Sequence, residues 1–453
     1  MNGNTTNPWD NGILRVSENK RYLVNGSKPF FWMGDTAWLL FQSLNGDECR
    51  LYFKNRRAKH FNIILASLVH SIDQGNRNAS SLPQRESHLG QPLIDGDFAR
   101  PDLDGGFWQH IDSVVAMAEE EGLYMGLLPC WGAMVKQGYL NEQNAESYGR
   151  FLARRYGSLK NIVWILGGDI RGSDGYGVWM KLAATLKKHS PDRLIGFHPF
   201  GRTSSSLWFN EADWLDFNMF QSGHRRYDQG SLGAWDDNSE KEGWYGEDNW
   251  KYVKRDYAAS VKRPTLDGEP SYEQILQGLH DVSQPYWQAH DVRRYAYWSV
   301  FEGACGHTYG DNSVMQFYVK DKGQPRYGAR ESWQEAIHHE GSGQMGVLCQ
   351  LINSVNFTAG RAAGHLLAHP QREKYGRIAA FAGEGFAFFY TYTGECFSLE
   401  LSRVGEGRAD FYWFNPEVGV YSYLGEKALK GTAPFTPPVR KSGQNDWVLV
   451  IRW

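Results

Sequence analysis

Two carboxylates stand where short apolar runs end. Asp169 closes Val163-Trp164-Ile165-Leu166-Gly167-Gly168-Asp169, and Glu269 closes Thr265-Leu266-Asp267-Gly268-Glu269 just before Pro270. Cleavage of a glycosidic bond asks for such a pair. One carboxyl is protonated to assist the leaving oxygen, and the other stays ionised as nucleophile or base. Strand ends suit both, because a misplacement of about 1 Å is costly to catalysis. The glycines just before each carboxylate let a substrate approach the backbone closely. Ion-paired loop carboxylates look the same in sequence, so that structural reading stays open for both. Three further acids compete. Asp35 binds a substrate hydroxyl or caps the Thr36-Ala37-Trp38 turn. Asp267, two residues before Glu269, raises the pKa of its neighbour or is a satisfied buried group. Glu302 is held in reserve.

Aromatic and imidazole side chains could complete a site. Trp38, Trp131 and Trp298 offer flat faces for sugar C–H groups, with rim packing as the alternative. His70, His198 and His224 can bond hydroxyls or orient a carboxylate, each with a structural role as the alternative. Gln221 is a further polar strand end. His338-His339-Glu340 resembles a metal cluster only superficially: HExxH is absent and no strand-end partner completes a triad, so no catalytic metal is expected. No GxGxxG follows the first strand and no Walker pattern occurs, which argues against a doubly wound open sheet, and no cofactor is expected. Without GxSxG, a serine hydrolase is a weak reading.

The elements that must position these residues alternate along the chain. Strands are expected at Phe30–Asp35, Asn62–His70, Tyr124–Trp131, Asn161–Asp169, Leu194–Pro199, Leu215–Gln221, Pro264–Glu269 and Tyr295–Phe301. Helices are expected at Asp47–His60, with Asn45 or Asp47 as cap, and at Phe107–Gly122, Asn141–Tyr156, Tyr176–His189, Asp248–Lys262 and Pro285–Arg294. Eight near-continuous apolar strands, most followed by a helix, match a parallel (β/α)8 barrel buried on both faces of its sheet. A doubly wound open sheet is the alternative. In a barrel, Asp35, His70, Trp131, Asp169, His198, Gln221, Glu269 and Trp298 converge on one mouth, at the C-terminal ends of the strands. The long connections Ser71–Gly106 and Ser222–Glu247 leave that same end, and connections of this length usually build or cover a site. From about Gly376 the pattern changes to short strands with Gly, Pro and Asn turns, read as an antiparallel β-sandwich packed on the barrel. The expected division is 12–370 for the barrel and 375–453 for the sandwich.

Composition narrows the function classes. With 48 Lys+Arg against 51 Asp+Glu the 453-residue chain has no basic surplus for nucleic acid. The longest apolar runs are strand-sized, so no membrane span is expected. Five widely spaced cysteines without CxxC argue against a zinc ribbon or a disulfide framework. The surplus is aromatic, 18 Trp, 24 Tyr and 24 Phe, which suits contact with sugar rings. The polar start MNGNTTNPWDNG has no signal-peptide apolar region, and no oligomeric state is legible.

Leu14 through Gly34-Asp35-Thr36-Ala37-Trp38, with Trp164–Asp169 and Asp267-Gly268-Glu269-Pro270, resembles the apiosidase-like glycoside hydrolases of family 140. The tail from about Gly376 is similar to the collagen-binding domain that usually follows that barrel. The resemblance covers nearly the whole chain. It implies a retaining glycosidase barrel with the acid/base after the fourth strand, on Asp169, and the nucleophile after the seventh, on Glu269. The wider superfamily usually places Asn-Glu after the fourth strand. Gly168-Asp169 departs from that, with an acid shorter by one methylene. A pectic, apiose-containing oligo- or polysaccharide is the implied substrate. An endo-glycanase or a non-catalytic glycan- or collagen-binding protein are the alternatives. Polysaccharide substrates imply export, with the signal absent from this chain and a cytoplasmic site as the alternative.

Overall fold

The computed structural model describes residues 7–70, 98, 106–229, 245–322, 324–440 and 444–453. Most of the two long connections, including Trp235 and Trp244, lies outside the described residues. Strands β1 (Leu14–Val16), β2 (Leu23–Asn25) and β3 (Lys28–Phe30) form an antiparallel sheet. Beside it the edges of Trp9 and Phe30 meet the Tyr124 ring at 5.2 and 5.4 Å, closing the N-terminal end of the barrel.

The barrel sheet begins with β4 (Trp32–Thr36), β5 (Ile63–Ser67), β6 (Tyr124–Leu128), β7 (Ile162–Ile170) and β8 (Ile195–Pro199). It continues through β9 (Thr203–Ser204), β10 (Asn218–Gln221), β11 (Thr265–Asp267) and β12 (Gly306–Tyr309). The strand order is β8-β7-β6-β5-β4-β12-β11-β10-β9, parallel throughout except for the short β9, which runs antiparallel to β10. The ring closes between β8 and β10 through Asp216, whose N–H donates to Ile195 O at 2.9 Å while its carboxylate accepts from Ile195 N at 2.6 Å. Apart from Asp169 on β7, every residue of the parallel strands is buried. Helices on one face and side chains inside the ring explain why these strands do not alternate polar and apolar. Asn45, not Asp47, caps the helix Gly46–Ala58, exchanging reciprocal 3.1 Å bonds with Glu48.

Two expected elements, the helix Pro285–Arg294 and the strand Tyr295–Phe301, are replaced by one helix. Tyr295–Phe301 is not the eighth strand but the second half of a helix, Ala289–Phe301, that begins where Gln288 and Asp291 form a capping box. The eighth barrel strand is β12. The helix reads as a strand because it carries no polar stripe. Its outer face is covered by the tail, with Tyr297 stacked on Tyr390 at 4.5 Å and Phe301 between Phe381 and Phe388 at 6.2 and 5.9 Å. Gly306-His307-Thr308-Tyr309 is too polar to be recognised as a buried strand.

The tail comprises β13 (Arg361–Ala362), β14 (Ile378–Gly383), β15 (Phe386–Thr391), β16 (Phe397–Glu400), β17 (Arg408–Asn415), β18 (Val420–Ala428), β19 (Thr432–Phe435) and β20 (Trp447–Arg452). A six-stranded sheet ordered β13-β14-β15-β20-β17-β18 faces the pair β16-β19. Phe389, Phe397, Phe411, Trp413, Phe435 and Leu449 fill the space between them as the sandwich core. No helix among the described residues is long and apolar enough to cross a membrane.

Candidate active site

A cleft of about 730 Å³ opens at the C-terminal ends of the barrel strands. Trp38, His70, Trp131, Asp169, Gln221, His224 and Glu269 line it, and His198 touches Glu269 from below. The remaining two sequence candidates lie elsewhere. Asp35 is fully buried, accepting from Tyr52 Oη and Arg56 Nε at 2.5 Å each, and takes no part in lining the cleft. Trp298 sits on the helix Ala289–Phe301, buried beneath the Arg294 guanidinium at 4.9 Å, because the strand expected there is helical.

The end of β7 explains how Asp169 reaches the cleft. Pairing with β8 runs regularly to Gly167↔His198 and resumes only at Ile170↔Pro199, so Gly168 and Asp169 form a bulge. Gly167 and Gly168 have φ of +89° and +100°, and Asp169 itself lies at +49°, a conformation costly for a side-chain-bearing residue. A Cβ on Gly167 would come within 2.3 Å of His198 O, and one on Gly168 within 2.7 Å of the Trp131 ring. The glycines therefore serve a tight backbone fold that turns the Asp169 carboxyl outward.

Glu269 follows β11 by two residues. His224 Nε2 lies 3.0 Å from its Oε1 and His198 Nε2 3.1 Å from its Oε2. Both histidines are themselves held, His224 through its backbone carbonyl and His198 through its ring. Trp287 Nε1 and Gly278 N donate to His224 O at 3.0 and 2.8 Å, and the His198 ring meets Trp38 edge-on at 5.1 Å. Burial alone would raise the Glu269 pKa, but the contacts from His198 and His224 outweigh it and hold the carboxylate at about 2. Asp169 goes the other way. Although its carboxyl borders the open cleft, close confinement by protein and the nearby Glu269 charge raise it to about 7, against weaker opposing effects of His198, Gln221 and His224. One carboxylate oxygen of Asp169, one ring nitrogen of His198 and one carboxylate oxygen of Glu269 lie within 4.8 Å of one another. The same three groups have the chemistry of a metal-ligand set, a feature not foreseen from the sequence.

Around the acids, Trp38 stands 5.1 Å from Trp131, and His70 packs against Trp131 at 4.8 Å. Burial, aided by the Arg326 charge, lowers the His70 pKa to about 3 and leaves that imidazole neutral. Sequence reasoning missed Tyr272, whose hydroxyl accepts from Trp38 Nε1 at 2.9 Å and whose ring meets His224 at 4.8 Å. Its place three residues after Glu269 was the only available signal. Gln316, Arg326 and Tyr327 also line the cleft and were missed because the eighth strand, and hence the loop after it, was placed too early.

The other acids have structural roles. Asp267 accepts from Ser222 Oγ at 2.7 Å and Asn249 Nδ2 at 3.1 Å. Glu302 pairs with Arg377 at 2.7 Å and ties the barrel to the tail. His339, instead of gathering metal ligands with His338 and Glu340, bridges Asp311 and Glu331 at 2.6 and 2.8 Å.

Comparison with known families and structures places the chain among the glycoside hydrolases. Residues 17–359 match the model described as "Apiosidase-like, catalytic domain", and 363–452 match that of a "Putative collagen-binding domain of a collagenase". A solved structure named "Glycoside hydrolase" is 38% identical, with a TM-score of 0.88 over 99% of this chain and 98% of that one. A glycoside hydrolase family 5 structure from Bacteroides vulgatus is 37% identical, with a TM-score of 0.89 over 99% and 95% of the two chains. An α-amylase from Lactobacillus plantarum, 12% identical with a TM-score of 0.51 over 92% and 98%, shares the fold. Comparison with curated proteins finds no match.

Proposed function

The chain belongs to the apiosidase-like family of glycoside hydrolases, and from that premise we propose that it is a retaining glycosidase with Glu269 as nucleophile and Asp169 as acid/base. The supporting observation is the opposed ionisation of two close carboxyls, one held at about 2 and the other raised to about 7. One oxygen of each lies within 4.8 Å of the other, closer to the ~5–5.5 Å of a retaining pair than to the ~6.5–9.5 Å of an inverting one, which supports the retaining reading.

In the first step a Glu269 oxygen attacks the anomeric carbon as the bond to the leaving oxygen breaks, and the Asp169 proton passes to that oxygen. In the second, Asp169 takes a proton from water, the new oxygen bonds to the anomeric carbon, and the Glu269 carboxylate departs. Trp131, half-open to the cleft, offers a face for the sugar ring. The family points to a pectic, apiose-bearing oligosaccharide as substrate.

A panel of aryl glycosides and pectic oligosaccharides, with proton NMR of the first-formed anomer, tests this reading. Turnover with retained configuration is expected, and an inverted first product would refute the mechanism. The pH dependence follows from the same pair. Glu269 must be ionised and Asp169 protonated, so kcat/KM is expected to hold above about pH 2 and to fall as pH rises through about 7. Rates that keep rising from pH 7 to 9 would contradict the roles assigned. Gly168→Ala should fold yet lose roughly 100-fold in kcat, because its Cβ pushes on Trp131 and shifts Asp169. Steady-state rates beside a thermal unfolding curve check this.

A further inference from the structure

We propose that the outer face of the tail sheet binds a polysaccharide chain, in a groove at the seam of barrel and tail and remote from the catalytic cleft. The β17–β18 register sets Tyr412 opposite Tyr423 and Phe414 opposite Tyr421, placing four aromatic rings on one face. Trp413, between them in sequence, points into the sandwich core. The same sheet packs on the barrel through Tyr390 and Phe388, so the aromatic shelf continues an interface that the barrel leaves uncovered here. Between the shelf and the end of the helix Glu340–Asn353 lies a groove of about 810 Å³, with Leu351 and Phe414 buried in its lining and Gln350, Ser354 and Arg452 as its polar groups.

The rings are held in place without a ligand. Tyr423 Oη donates to Asp410 Oδ1 at 2.8 Å, Tyr421 lies 4.7 Å from Phe414, and Arg452 Nη2 donates to Ser354 Oγ at 2.8 Å. A pre-set surface loses little entropy on binding. It is also costly to leave bare: Tyr423 is 60% exposed and Tyr421 39%, on an edge strand where charged side chains are the usual protection.

Flat apolar faces beside amide, hydroxyl and guanidinium groups suit a glycan, whose rings present C–H faces and hydroxyl edges. Gln350 Nε2 lies 3.1 Å from His60 Nε2, just ahead of β5, so the groove is at the N-terminal end of the barrel. A polymer held there leaves the cleft free and raises the local concentration of its other segments.

Affinity electrophoresis of the full chain through gels containing pectin, xylan or β-mannan, with gelatin in parallel, tests the assignment. At least one polysaccharide should retard the parent. The Tyr421→Ala/Tyr423→Ala double variant should bind it roughly tenfold more weakly, and Tyr423→Phe, which keeps the ring but loses the Asp410 bond that presets it, should stay within about twofold of the parent. All three should turn over a soluble aryl glycoside equally. Four outcomes would each overturn the assignment: no retardation by any polysaccharide, undiminished retardation of the double variant, retardation abolished by Trp131→Ala alone, or retardation by gelatin only.

Discussion

Glu269→Gln is expected to fold like the parent and to lose roughly 10⁴- to 10⁶-fold in kcat, the scale on which loss of a nucleophile is felt. The amide keeps the shape of the carboxylate and can still accept from His224 at the same 3.0 Å position. What it lacks is the charge that attacks the anomeric carbon. The substitution has a second effect: the Glu269 charge is one of the causes that raise Asp169, so the variant's Asp169 should titrate below about 7. The descending limb of any residual activity should therefore move to lower pH. Initial rates on an aryl glycoside, beside a thermal unfolding curve, measure the loss, and near-parental turnover would remove Glu269 from the mechanism.

Asp169→Asn is expected to lose about 10²- to 10⁴-fold on sugar leaving groups, the usual worth of a positioned proton donor. The loss should shrink on a dinitrophenyl glycoside, whose leaving group departs unprotonated. The fall in rate above about pH 7 should disappear with the group that causes it. Azide, as a small anion that needs no general base, should restore turnover and yield a glycosyl azide of retained configuration. An equal loss on every leaving group would show that Asp169 only shapes the cleft.

The barrel was legible because seven of its strands are short apolar runs between turn signals, and both proposed catalytic acids end such runs. The convergence of His70, Trp131, Asp169, Gln221 and Glu269 followed from strand order, which also misplaced Asp35 and Trp298, while Trp38 and His224 were candidates by residue type. What could not be read depends on the second layer of packing. Tyr295–Phe301 looks like a strand because the tail covers the helix face that would otherwise be polar. Asp35 looks like a mouth carboxylate until its buried partner Arg56, twenty-one positions away, is seen. The opposed ionisation of Asp169 and Glu269 rests on two histidines from other strands and loops, and no local pattern announces it.

The order of the tail sheet bears on how the molecule is made. β20, residues Trp447–Arg452, lies between β15 and β17 and pairs with both. During synthesis the flanking strands emerge first and wait for it, with facing edges unpaired. A chain halted before Trp447 would present two open strand edges, each a template for a sister chain. Correct translation of Trp447–Arg452 thus protects the rest from aggregation, so a frameshift just ahead of Trp447 would act as a misfolding lesion however intact the catalytic cleft.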